Sequence, residues 1–294
     1  SVALDMAAGQ GDADGLVVLA DYQTAWRGRH GRRWLSPRGA SALCSVVVVG
    51  SEQLGVAGQP GGIAKPQAAQ GEGQQTLGGG KLVSGRLNIV ATVAACEAIA
   101  EATEVRPGIK WPNDLVISGK KVGGILIESR PLSAAPGSSD YSPGSQNPAL
   151  TNLRGPGASL ENLCGGDAAP KRAWVIGFGI NCLQHLGHFP PELASAATSL
   201  ELAASHAVDR LAVIRALLMR LDHWLGQSDW FGDRRLEESW ASMVEPVGRR
   251  VRLRHQSHEY VGRTVRVDPV GGLTVQLDNG RQMWFDPMLT SVLP

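Results

Sequence analysis

Residues 110–129 read KWPNDLVISGKKVGGILIES, and this stretch decides the fold. Leu115–Ser118 and Val122–Glu128 are short apolar runs of strand length on either side of Ser118-Gly119-Lys120, a pattern that predicts a hairpin. Pro112 predicts an extended Trp111. Asn113-Asp114 offer oxygen donors of the kind Mg2+ prefers, and serve equally well as turn formers. Lys121 stands directly before the run VGGILIE, and a lysine entering a buried strand is costly unless it meets an anion. Gly123-Gly124 leave a strip without side chains on which a ligand can lie. The plainer reading keeps Lys120 and Lys121 solvated in the turn.

Working outward, further strands are predicted at Gly15–Ala20 (GLVVLA), Cys44–Val49 (CSVVVV) and Ala173–Ile180 (AWVIGFGI). Arg86–Glu104 is Ala-rich and helix-like. Leu211, Ile214, Leu218, Leu221 and Leu225 repeat at three–four spacing behind Asp209, the predicted N-cap of an amphipathic helix. After Pro246 the texture changes to short strands at Arg250–Leu253, Tyr260–Val267, Leu273–Leu277 and Gln282–Phe285, broken by Gly-Gly and Asp-Asn-Gly turns. The expected organisation is a mixed α/β domain over residues 1–245 and a small all-β module over 246–294. Two stretches, about 51–81 and about 130–172, are rich in Gly, Gln, Ser and Pro; they bury too little apolar surface to offset ordering entropy and read as mobile surface insertions.

Composition narrows the function classes. The 28 Lys+Arg against 27 Asp+Glu leave a net charge of +1, so no global field marks a bulk nucleic-acid or membrane-surface binder. Four cysteines stand far apart with no C-x-x-C pair, which argues against a disulfide framework or a Cys-based zinc site. No apolar run reads as long enough to span a bilayer and no signal peptide is recognised, so a cytoplasmic chain is expected.

Against that balance, Asp21–Arg38 (DYQTAWRGRHGRRWLSPR) concentrates Arg27, Arg29, Arg32, Arg33 and Arg38, and no acid occurs from Tyr22 to Ser51. Gly28 and Gly31 let backbone bend around a ligand, and guanidinium forks match phosphate and carboxylate oxygens. A solvated basic loop, or one that contacts a nucleic-acid backbone, has the same composition. In WVIGFGIN (174–181), Gly177 and Gly179 mark close backbone approach, by packing or by a ligand, ahead of the polar Asn181.

Taken in order, Gln23-Thr24-Ala25, Arg27-Gly28-Arg29, Gly31-Arg32, Trp34, Ser36-Pro37, then KWPND (110–114), Lys121-x-Gly123-Gly124, and Gly177-x-Gly179-Ile180-Asn181 resemble the biotin–protein ligase family, the biotin–[acetyl-CoA-carboxylase] ligases. The resemblance spans the chain apart from the two insertions. It implies an α+β fold: a mixed central sheet with flanking helices of the class II synthetase-like kind, plus a small C-terminal SH3-like β-barrel. It further implies an ATP-dependent enzyme that activates biotin as biotinyl-5′-AMP and transfers it to one lysine of a biotin carboxyl carrier protein, with Mg2+ accompanying ATP.

On this resemblance Lys121, Arg29 and Arg32 are the catalytic candidates. Gln23, Arg27, Gly28, Arg29, Lys121, Gly124, Gly177 and Gly179 would bind biotin; Arg32, Trp34, Asn113 and Asn181 would bind the nucleotide; Asp114 would lie near Mg2+. Trp26 stands where the family has Gly, and the family's Ser-Thr-Asn biotin motif would fall before position 1. The N-terminal helix-turn-helix of some members has no counterpart here, so DNA binding is not expected; nor is a membrane partner, while homodimerisation stays open. The competing readings are a lipoate or octanoate ligase or transferase of similar fold, and a nucleic-acid-binding module built on the arginine loop.

Overall fold

The computed structural model describes residues 2–9, 13–25, 28–31, 34–51, 79–132, 171–227, 230–268, 270 and 272–293. Most of both predicted insertions (52–78 and 133–170) therefore lies outside the described residues, as do Trp26, Arg27, Arg32 and Arg33.

The hairpin of the KWPND stretch forms as its residues predict. β4 (Asp114–Ile117) and β5 (Lys120–Pro131) pair antiparallel, with Ile117 opposite Lys120. The two residues between them, Ser118 and Gly119, sit at φ 51° and φ 77°. Positive φ at both central positions gives the turn whose twist matches the flanking strands. Trp111 falls in the turn that follows β3 (Gly108–Lys110). β3 pairs with β4, placing Lys110 opposite Asp114, so the chain must reverse through residues 111–113, and the Trp111–Pro112 peptide is cis.

β1 (Val17–Ala20), β2 (Ser41–Ser51) and β6 (Lys171–Asn181) complete a six-stranded sheet of order β1-β2-β6-β5-β4-β3. All of its strand pairings are antiparallel; parallel contacts are confined to isolated bridges, Ile109 with Val244 and Lys121 with Ala197. β2, β5 and β6 run further into the edges of the Gly- and Ser-rich stretches than composition suggests, because each added residue gains a ladder partner, such as Ser51 with Lys171 and Pro131 with Arg172.

The sheet's two faces are unlike. Cys44, Val46, Val48, Ile125, Trp174, Ile176, Phe178 and Ile180 point to one side and are buried against α2 (Gly79–Thr103), which is buried along Leu87, Val90, Ala94 and Ala98. α4 (Arg210–Leu225) and α5 (Arg234–Met243) pack against α2, and α4 also against β2. Gly80–Thr103 has the length and apolarity of a spanning helix, contrary to the sequence reading, but 72% of its apolar window is buried inside the fold, as in a core helix. On the opposite face, α1 (Val2–Gly9) covers only one end, burying Ala3, Leu4 and Ala7 against Val47, Ala173 and Val175. Strand alternation carries that same face onward to Gly177 and Gly179.

Asp209 caps α4 as expected, its carboxylate accepting from the Leu211 N–H at 2.8 Å. The buried stripe is shifted, however: Val213, Ile214, Leu217, Leu221, Trp224 and Leu225 face inward while Leu211 is 61% exposed. Both stripes have helical spacing. Contact with β2 and with α2, the latter anchored by the Trp224 indole donating to Glu97 at 3.0 Å, decides between them.

Beyond a short helix α3 (Leu200–Ala204) and α5, a second antiparallel sheet of order β10-β9-β8-β7-β11 is built from β7 (Arg250–His255), β8 (His258–Asp268), β9 (Gly272–Leu277), β10 (Gln282–Phe285) and β11 (Thr290–Val292). Leu253, Leu273, Val275 and Phe285 form its interior. The fold is α+β, with a small all-β unit after the main sheet.

Candidate active site

The glycines that the sequence places in two separate motifs meet in space. Gly124 on β5 and Gly179 on β6 are cross-strand partners, two bare positions side by side on the half-covered face. Gly177 lies two residues along, beside Ser45. A side chain at Gly124 would meet the Lys121 Nζ at 3.3 Å, and one at Gly179 would meet the Trp34 indole at 3.0–3.3 Å. Lys121 and Trp34 thus stand over the glycine floor, with the ammonium 5.8 Å from the indole centroid.

Lys121 is held from two directions. Its backbone is strapped to the segment that follows the 3-10 turn Leu186–His188, the Lys121 N–H donating to Ala196 at 2.8 Å and its carbonyl accepting from Thr198 at 2.9 Å. A register shift between Leu115 and Val116 in the β4–β5 ladder lies alongside. Its Nζ donates to the Asp114 carboxylate at 2.5 Å, with the lysine side chain 37% exposed. The lysine is partly exposed and still meets an anion, Asp114.

That pairing bears on Asp114 as a magnesium ligand. Asp114 holds Lys121, and the Asn113 amide is engaged on both sides, its Oδ1 accepting from Arg29 at 2.9 Å and its Nδ2 donating to the Ile125 carbonyl. Among the described residues no group of three His, Cys, Asp or Glu side chains could hold a metal. Asp114 would be free to approach a magnesium ion only once Lys121 has left it.

Arg29, in a 3-10 turn (Arg29–Gly31), also donates to the Pro287 carbonyl of the second sheet, and so joins the KWPND turn to the C-terminal unit. Gln23 and Gly28 flank this turn, half-buried. Asn181 is 5% exposed and directed inward, donating to the Thr198 carbonyl at 3.0 Å and accepting from Gln184 at 3.0 Å. Gln184 also donates to Ser41 at 2.6 Å, and Ser36 donates to Ser41 at 2.8 Å, which anchors the chain just after Trp34.

The structure therefore brings together Lys121, Asp114, Gly124, Gly179 and Trp34, and joins Arg29 to Asn113, while Asn181 belongs to a buried polar network. Arg27 and Arg32 lie outside the described residues. The residues the sequence reading missed are the 196–198 strap, Gln184 and the Asp286-Pro287 turn. The strap and Gln184 are defined by contacts to distant segments, Lys121 and Ser41, which no local pattern announces.

Comparison with known proteins finds likenesses in sequence and in fold. The model of the Biotin/lipoate A/B protein ligase family matches residues 80–137, which run from α2 through the hairpin. The bifunctional ligase/repressor BirA of Bacillus subtilis is 27% identical over 267 residues, 91% of this chain and 63% of that protein, so the chain spans less than two thirds of that relative's length. A biotin–[acetyl-CoA-carboxylase] ligase of Paracoccus denitrificans is 29% identical over 270 residues, covering 90% of this chain and 86% of its own. In fold, the chain is similar to a biotin protein ligase from Aquifex aeolicus solved in complex with biotin and ATP, with a TM-score of 0.61 and 21% identity over 98% of this chain and 93% of the other. The arginine–glycine turn, the KWPND hairpin with its lysine over paired glycines, and these likenesses point the same way: the chain is similar in sequence and in fold to biotin protein ligases, and its residues 80–137 match the Biotin/lipoate A/B protein ligase family.

Proposed function

We propose that this chain is an ATP-dependent biotin–protein ligase. The observation that carries the reading is the ammonium of Lys121 standing over the cross-strand pair Gly124 and Gly179. A flat, largely apolar acid can lie on two residues without side chains, with its carboxylate beside the lysine. The relatives' names supply biotin, ATP and a carboxylase acceptor.

In the first step a biotin carboxylate oxygen attacks the α-phosphorus of ATP and pyrophosphate leaves, giving biotinyl-5′-AMP. In the second, the ε-amine of a lysine on a biotin carboxyl carrier domain attacks the acyl carbon, losing a proton as AMP departs. Negative charge grows on the α-phosphate oxygens in the first step. Lys121 and Arg29 are the described cations placed to stabilise it more in the transition state than before it. Lys121 exchanges Asp114 for the incoming anion, so Asp114 keeps the ammonium aimed while no ligand is bound. Magnesium, commonly bound through substrate phosphates with few protein ligands, enters with ATP.

The deciding measurement is biotin-dependent exchange of labelled pyrophosphate into ATP. Exchange supported by lipoate or octanoate in place of biotin points to the other branch of the matched family. Absence of exchange with any of these acids sinks the ligase reading.

A further inference from the structure

The guanidinium of Arg29 has one acceptor on the KWPND turn, Asn113, and another on the second sheet, the Pro287 carbonyl. That carbonyl belongs to the turn between β10 and β11, which Asp286 shapes. The Asp286 Oδ1 accepts from the Met288 N–H at 2.7 Å, and its carbonyl accepts from Leu289 at 3.2 Å. Asp286 is only 7% exposed, and the nearest cation, Lys81 at the start of α2, is 3.8 Å away. Met288 and Leu289 are exposed, so this part of the turn is not there to bury apolar groups. A carboxylate is costly to bury and is here used to orient a main-chain carbonyl at an arginine of the candidate site.

Resting on the ligase reading, we infer that Asp286 is a positioning residue for the reaction: it fixes the turn whose Pro287 carbonyl sets the reach of Arg29. The C-terminal sheet thereby acts on the first chemical step from outside the main sheet.

The inference is tested by a double-mutant cycle on biotin-dependent pyrophosphate exchange, with the Tm shift produced by biotin plus a non-hydrolysable ATP analogue followed in parallel, so that a variant with little exchange still gives a value. Asp286→Asn keeps the acceptor for Met288 and holds kcat/KM within about twofold of the unmutated chain, while Asp286→Ala lowers it about tenfold. Arg29→Lys keeps the charge but cannot span both acceptors, and in that background Asp286→Ala costs less than about twofold more. An equal loss in both backgrounds, or an Asn variant as impaired as the Ala variant, overturns the inference. No exchange by the unmutated chain overturns the ligase reading instead.

Discussion

The indole of Trp34 rests against Gly179, so close that a Cβ added to the glycine would sit 3.0 Å from Cε2 and 3.3 Å from Nε1. That indole nitrogen is buried and has no hydrogen-bond partner in the structure. The arginine-rich segment thus ends in a side chain laid on the very strand that carries the second glycine motif.

Gly179→Ala should therefore act on the site before it acts on the fold. The added methyl group meets a side chain rather than backbone, so Trp34 must shift by a few tenths of an ångström or more. A rise in KM for biotin of about tenfold, with Tm lowered by only a few degrees, is expected. Steady-state exchange and a thermal melt check it, and an unchanged KM would show that the floor is not where biotin lies.

Lys121→Ala should abolish adenylate formation in a folded protein. The side chain is partly exposed and its partner Asp114 is on the surface side of the hairpin, so losing the pair costs little stability, on the order of 1 kcal/mol or less. Circular dichroism and exchange are the two readings. Retained exchange would mean that another cation does the work assigned to Lys121.

Arg86 makes a different kind of prediction. It is 5% exposed on α2, pairs with Glu237 of α5 at 2.5 Å, and lies over the Phe231 ring at 5.6 Å. Glu237→Gln removes the counter-charge from a buried guanidinium and should destabilise the fold by about 2 kcal/mol, less than for a fully buried pair because Glu237 is partly exposed. Urea unfolding measures this, and pyrophosphate exchange below the transition should be unaffected.

Cys44, Cys96 and Cys182 should resist alkylation in the native state. Burial pushes their thiols up from 9.0 to about 12, about 12 and about 11. Mass spectrometry after iodoacetamide treatment at pH 8 should find these three unmodified until denaturant is added. The same shifts have a sign for stability. The folded state holds these protons more tightly than the unfolded chain, so the contribution is present below about pH 9 and is lost as pH rises toward 11–12.

Much of this was readable in the chain of letters. Ser118-Gly119 made a two-residue turn, Asp209 capped its helix, and the apolar runs became the strands predicted, because turn chemistry, capping and period-2 patterning act over a few residues. The α4 stripe was less secure. Leu211 and Val213 belong to overlapping apolar arcs, and the neighbours α2 and β2 select the one that is buried.

By itself, the sequence determined the elements, the family resemblance and the residue types able to meet an anion, since each depends on local order along the chain. Tertiary structure alone decided that Gly124 lies beside Gly179, that Lys121 answers to Asp114, and that Pro287 reaches Arg29. The Lys121–Asp114 pair depends on the register of one hairpin, while the other two are set by sheet register and packing between segments up to 258 positions apart, which no local propensity encodes.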